Sequence, residues 1–201
     1  MPLHNLTPQE RRAYATIPGD IDEPSQRRFF VLSASDERLM SRVRGPHNRL
    51  GLAHHLGWLR WLGRQPGWDE VHSGPAGLTA FLARQLNVAP EAFEIYPRDR
   101  GAWNHHRELA REHLGWRARS DTERQALLAW LSDQAQQHDQ PHGLVKEALG
   151  FLRREKIVPP GLTTVERLVA HAREDVKIEI RSSRGCGQLS CCTGWCCLQE
   201  G

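Results

Sequence analysis

The chemistry open to this 201-residue chain lies mainly in its arginines, which fall into three groups. Arg42, Arg44, His47, Asn48, Arg49 and Arg60 form the first, and Arg98, Arg100, Arg107, Arg117 and Arg119 the second. Arg153, Arg154 and Lys156, with Thr163, Thr164 and Arg167, form the third. Arginine greatly outnumbers lysine, and its planar, permanently charged fork suits phosphates and guanine edges, where lysine acts as a point charge. Anion binding is therefore the expectation, with loop arginines tracking a phosphate backbone and Arg167 the best placed to read bases. A structural reading stands beside each group. Asn48 and Arg49 could satisfy buried backbone and an acidic partner, the loop arginines could be solvated surface, and Glu166 could hold Arg167 in an intrahelical pair. The arginine bias itself is also what a GC-rich genome produces.

Other chemistries find less support. The doublets His54-His55 and His105-His106 do not chelate alone, because neighbours on a helix diverge by about 100°. All five cysteines (Cys186, Cys191, Cys192, Cys196 and Cys197) lie in the last sixteen residues, spaced C-x₄-C-C-x₃-C-C. That matches no zinc-knuckle spacing, and five is odd for disulfides. The sequence carries no nucleophile elbow, phosphate loop or HExxH, and its carboxylates mostly sit at caps or in helical pairs. The expectation is no catalytic activity, no cofactor and no metal.

Net charge is +3 with a pI near 8.7, too mildly basic to identify a partner. No run approaches the roughly 18 apolar residues of a membrane span, and the first residues lack the apolar core of a secretory signal. An intracellular, cytoplasmic location is the expectation.

The elements that must position these residues read as helices punctuated by caps, giving an all-α fold. Thr7-Pro8-Gln9-Glu10 is a capping box opening a short helix to about Thr16. Residues 19–26 read as an acidic loop, and Arg27 to Val31 as extended. Ser33 caps a helix that Gly45 stops, and Pro46 opens one running to about Leu62. Leu52, Leu56, Leu59 and Leu62 give that helix a buried stripe, with His47, His54, Trp58 and Trp61 on roughly the opposite side. The two tryptophans need a partner, either the rest of the domain or another molecule. Leu78 to Leu86, a turn at Asn87–Pro90 and a second helix from Glu91 to Tyr96 read like a helix-turn-helix unit. Helices from Ala102, Ser120 and Pro141 follow, and Pro159-Pro160-Gly161 precedes a last helix from Leu162 to about Ala172. Val176 to Ile180 alternates as a short strand would.

Several stretches, in order, resemble the N-terminal domain of Tn-three-type replicative transposases. Gly45-Pro46-His47-Asn48-Arg49-Leu50-Gly51-Leu52-Ala53 resembles that family's G-x-H-N-R-L-G-F-A, and Leu3 to Ile17 its opening L-T-x-x-x-R helix. Phe81 to Tyr96 with Arg98 is similar to F-x-A-x-Q-L-x-V-x-P-x-x-x-x-x-Y and its following arginine. His106 with Glu112 to Trp116 resembles H-x-x-x-x-R-E-H-L-G-F, and Ile157 to Leu168 is similar to I-x-x-P-G-x-S-T-L-E-R-L. The likeness covers about residues 1–175. Trp103 and Asn104 depart from it, standing where relatives often carry basic residues, as does Pro97 directly after Tyr96.

The resemblance implies tandem helical domains that bind double-stranded DNA at the terminal inverted repeats of a transposon. It also implies that catalysis belongs to a far larger Asp-Asp-Glu region absent from this chain. The expected organisation is a first helical DNA-binding subdomain over residues 1–116, a second helix-turn-helix-like one over 117–176, and a divergent, disordered, cysteine-rich tail over 177–201 from a frameshift or truncation. Full-length transposase or a second copy of the chain are further expected partners. A helical protein–protein module anchored by Trp58 and Trp61, or a functionless remnant, is the alternative.

Overall fold

The computed structural model describes residues 6–70, 72–136 and 141–186. It is helical throughout, with no strand among the described residues, as the all-α expectation required. Among the described residues nine α-helices follow one another: α1 (Pro8–Ala15), α2 (Glu23–Phe30), α3 (Ala34–Met40), α4 (Pro46–Leu62), α5 (Leu78–Leu86), α6 (Arg100–His113), α7 (Asp121–Ala135), α8 (Pro141–Arg154) and α9 (Leu162–Cys186). Two 3₁₀ turns, Trp68–Glu70 and Pro90–Ile95, flank α5.

Local chemistry sets most of the boundaries. Thr7 and Ser33 each form a reciprocal capping box, with Glu10 and Asp36 respectively. Gly45 and Gly63 bracket α4 with φ of +87° and +66°, which only glycine adopts cheaply. α6 ends in a Schellman turn: Gly115 N–H donates to Glu112 C=O at 3.0 Å and Trp116 N–H to Arg111 C=O at 2.8 Å.

The acidic loop and extended segment expected over residues 19–31 are instead largely the helix α2. Asp22 caps it, accepting the Ser25 N–H at 2.7 Å, Pro24 fits its first turn, and Glu23 pairs with Arg27 one turn on. What holds α2 in place is tertiary: Phe30 is fully buried, seated on Gly57 of α4, where a Cβ would lie 2.1 Å from its ring.

α4 is the axis of the first core, packed by α2, α3, α5, α6 and the 3₁₀ turn at Pro90–Ile95. The exposed face expected for it is absent. His54, His55 and Trp58 are buried, and Trp61 packs half-buried against Phe30, so the domain itself covers the tryptophans. Gly51 lets Tyr96 approach so closely that an added Cβ would fall 2.2 Å from its ring. The helix expected from Glu91 to Tyr96 is only a 3₁₀ turn, and Pro97 keeps Tyr96 extended and forbids continuation. The helix-turn-helix reading therefore lacks a second helix there.

A second core gathers Leu127 and Leu131 of α7, Leu144, Val145, Ala148 and Leu152 of α8, and Val165, Leu168, Val169 and Ala172 of α9. Leu6 belongs to it, and α1 docks on α9 through an Arg11–Glu166 ion pair and on α8 through Lys146–Glu10 at 2.9 Å. The N-terminal segment thus packs with the second group of helices, although the sequence suggests it belongs with the first. α9 continues through Val176–Ile180, so that alternating stretch is helical and not a strand. Cys191, Cys192, Cys196 and Cys197 lie outside the described residues.

Candidate nucleic-acid interface

The basic residues separate into those held by the fold and those left to face solvent. Arg60 is held. It donates to both oxygens of the buried Asp36 at 2.7 and 2.8 Å, and His113 Nε2 reaches the same carboxylate at 2.9 Å. Burial alone would raise the Asp36 pKa, but hydrogen bonds from Arg60 and Ser33 outweigh it and the net shift is downward. Asp36 therefore ties α3, α4 and α6 together, and Arg60 has a structural task in that joint.

Arg153 and Lys156 are held as well, by helix ends. Arg153 Nη2 donates to the Arg60 and Trp61 carbonyls at 3.2 and 2.9 Å, and Lys156 Nζ to the Leu114 carbonyl at 3.0 Å. These are the orphan acceptors at the negative C-terminal ends of α4 and α6, where a cation is favoured. The basic end of α8 thus clasps the first core. Arg117 joins the clasp: its backbone pairs with Lys156 and Val158 at 2.7 and 3.1 Å, and its guanidinium donates to the Glu155 carbonyl at 3.1 Å. Asn48 is half committed, its Nδ2 donating to the Arg44 carbonyl at 3.0 Å.

The remaining cations are gathered without comparable neutralisation. Arg42 and Arg44 are exposed before α4, and Arg49 is half-exposed on its first turns. His47 folds over Gly45, and its pKa is lowered by burial and then by the charge of Arg98, which brings the first sequence group against the second. Arg100 lies over the Trp68 ring at 5.0 Å and Arg107 over Trp103 at 4.3 Å. The Arg107 pKa is lowered by burial and then by Arg119 and Arg111. Arg119 is exposed and lines a cleft of about 510 Å³ together with Arg124, Thr164, the acidic Asp121 and Glu123, and the apolar Leu127, Leu152, Ile157 and Leu168. Arg154, Thr163 and Arg167 are also exposed, and Glu166 turns inward to Arg11, leaving Arg167 out of the intrahelical pair. The sequence reading gave Trp68 no role and named Trp103 only as a departure from the family pattern. Nothing in the sequence pairs the two rings, which lie far apart in the chain.

Of the two histidine doublets, His54, His55 and His106 are core residues and His105 is exposed. His54 Nε2 meets Thr79 Oγ1 at 3.1 Å, and burial depresses its pKa to about 3. The Tyr96 hydroxyl bridges His55 Nε2 at 3.0 Å and His106 Nδ1 at 3.1 Å, donating to one ring and accepting from the other. Burial holds the His55 pKa well below its ordinary value and that of His106 near 4. Among the described residues no group of three His, Cys, Asp or Glu has metal-binding geometry. No helix there is long and apolar enough to cross a membrane.

Residues 6–172 match a family described as a domain of unknown function, DUF4158. The chain is 32% identical to the transposase for transposon Tn1546 of Enterococcus faecium, over 84% of this chain and 17% of that protein. It is 29% identical to the transposase for transposon gamma-delta of Escherichia coli K12, over 87% of this chain and 18% of that one. A third relative, at 29% over 81% of this chain and 17% of its own length, is the transposase for insertion sequence element IS1071 in transposon Tn5271 of Comamonas testosteroni. The chain therefore spans under a fifth of these relatives' length. With a match running from Leu6 to Ala172, it belongs to the DUF4158 family and is homologous to the Tn-three-type transposases.

Proposed function

We propose that this chain binds double-stranded DNA at the terminal inverted repeats of a transposon, and that it contributes recognition without chemistry. The observation that carries this reading is the crowding of arginines: Arg98 beside the His47 ring, and Arg107 beside Arg119 and Arg111, of which Arg111 alone has carboxylate partners among the described residues. Like charges held together by a fold cost free energy in the absence of an anion, and a line of phosphates relieves that cost. Homology to transposases names a DNA process as the setting, and the match falls in a region described only as of unknown function.

Arg42, Arg44, Arg49, Arg98, Arg100, Arg107, Arg119 and Arg154 contact phosphates in this reading. Thr163, Thr164 and Arg167, exposed on the first turns of α9, enter the major groove as the second helix of the α8–α9 pair. The protein works in the bacterial cytoplasm at the nucleoid, beside full-length transposase or a second copy of itself.

Fluorescence anisotropy of the chain, kept reduced, against an inverted-repeat duplex and a scrambled one tests this across a salt series. Preferential binding to the repeat that weakens by orders of magnitude between about 50 and 200 mM salt is expected. Equal, salt-insensitive binding to both duplexes would refute it.

A further inference from the structure

We propose that Trp68 and Trp103 form an aromatic shelf that presents Arg100 and Arg107 to DNA phosphates, making Trp68 a positioning residue for binding. The inference rests on the DNA-binding reading above. The two indoles meet edge to face with centroids 5.8 Å apart, and each carries one guanidinium, Arg100 on Trp68 at 5.0 Å and Arg107 on Trp103 at 4.3 Å. Two arginines seven residues apart on α6 are thus held by one continuous aromatic surface, reached from a 3₁₀ turn elsewhere in the chain.

Neither arginine is explained by an ion pair. Arg100 is the first residue of α6, where the helix dipole repels a cation. Its neighbour Asp99 spends its carboxylate capping the Ala102 N–H at 2.8 Å. Stacking on Trp68 is the contact that holds Arg100 there. Arg107 is half-buried, its Nε has neither solvent nor an acceptor, and the charges crowding it are those of Arg119 and Arg111. Arg111 is offset by Glu108 at 3.3 Å and Glu112 at 3.8 Å, but no carboxylate among the described residues reaches Arg107. A desolvated guanidinium without a counter-charge is costly unless an anion completes it.

Stacking suits that anion to be a phosphodiester. A guanidinium lying on a ring keeps the N–H groups of its rim free for bidentate donation, and fixing its rotamers in advance lowers the entropic cost of binding.

The test is a double-mutant cycle read by anisotropy against the inverted-repeat duplex at fixed salt, with thermal melting measured alongside. Trp68→Leu and Arg100→Ala are each expected to weaken binding by about two- to fivefold, the size of an exposed cation–π contact. The double variant is expected to bind no worse than the weaker single, and Trp68→Phe to stay close to wild type. Additive losses, or wild-type binding by Trp68→Leu, overturn the inference. Should Trp68→Leu not fold, Arg100→Lys decides. It keeps the charge but cannot lay a planar fork on the ring, so about a twofold or greater loss is expected and wild-type binding overturns the shelf. If the wild-type chain shows no salt-dependent binding, the DNA reading fails and the shelf falls with it. If it binds and the cycle is additive, only the shelf falls.

Discussion

Arg60 of α4 grips both carboxylate oxygens of Asp36 on α3, at 2.7 and 2.8 Å, and Asp36 is fully buried. Arg60→Ala leaves that carboxylate with only Ser33 and His113 around it, and removing one partner of a buried pair costs about 3–5 kcal/mol. Equilibrium urea unfolding should show a loss of that order. A variant that keeps wild-type stability and loses only DNA affinity would return Arg60 to the DNA contacts.

The buried histidines make stability pH-dependent. His54 and His106 have folded pKa values of about 3 and about 4, and that of His55 is also well depressed, all below the unfolded value near 6.5. Below pH 6.5 the unfolded chain takes up protons that these folded rings refuse. Their contribution is thus fully present above that pH and falls steadily as pH drops toward 4, at a slope approaching about 1.4 kcal/mol per unit for each ring. Thermal melts from pH 7.5 to 4.5 should show a steep decline. Replacing Thr79 with Val should leave the His55–Tyr96–His106 share of that decline intact, because Thr79 bonds only to His54 in this cluster.

The clasp at the end of α8 should report on stability rather than on DNA. Arg153→Ala removes two donors from the α4 carboxyl end, and with Arg153 largely exposed the expected loss is about 1 kcal/mol. Tryptophan fluorescence during urea unfolding measures it. A loss of affinity with unchanged unfolding would contradict the clasp.

Arg119 and Arg167 should behave in the opposite way. Both are exposed, so alanine at either should change stability by less than about 0.5 kcal/mol. Arg119→Ala is expected to weaken binding to true and scrambled duplexes alike and to lower the salt slope by about 0.9. Arg167→Ala is expected to narrow the gap between the two duplexes by about 1–3 kcal/mol, the worth of one bidentate base contact. Parallel salt titrations of the two variants separate these outcomes.

Gly51→Ala tests the closest packing in the first core. Its Cβ would lie 2.2 Å from the Tyr96 ring, which is anchored by two histidines, so the ring cannot swing aside without breaking that network. A loss of about 1–3 kcal/mol is expected in thermal or urea melts, and a wild-type melt would mean that Tyr96 has room to move.

The sequence alone determined what short-range chemistry encodes. The caps at Thr7 and Ser33, the proline start of α4 and the glycine after α6 act over a few residues, so those boundaries were legible from residue types. The all-α class followed from them, and the ordered motifs from Gly45 to Leu168 pointed to the transposase relatives. Tertiary structure decided what each charged or aromatic side chain does, because that depends on partners distant in the chain. Arg49 and Arg60 lie on one line of α4, yet Asp36 claims only Arg60. Arg153 and Arg154 are neighbours, yet only Arg153 reaches the end of α4. α2 was hidden because its eight residues carry a proline and charges, and Phe30 finds its seat only against Gly57. Trp58 looked exposed while α4 was considered alone, since periodicity marks one buried stripe and cannot show that neighbours surround a helix on every side.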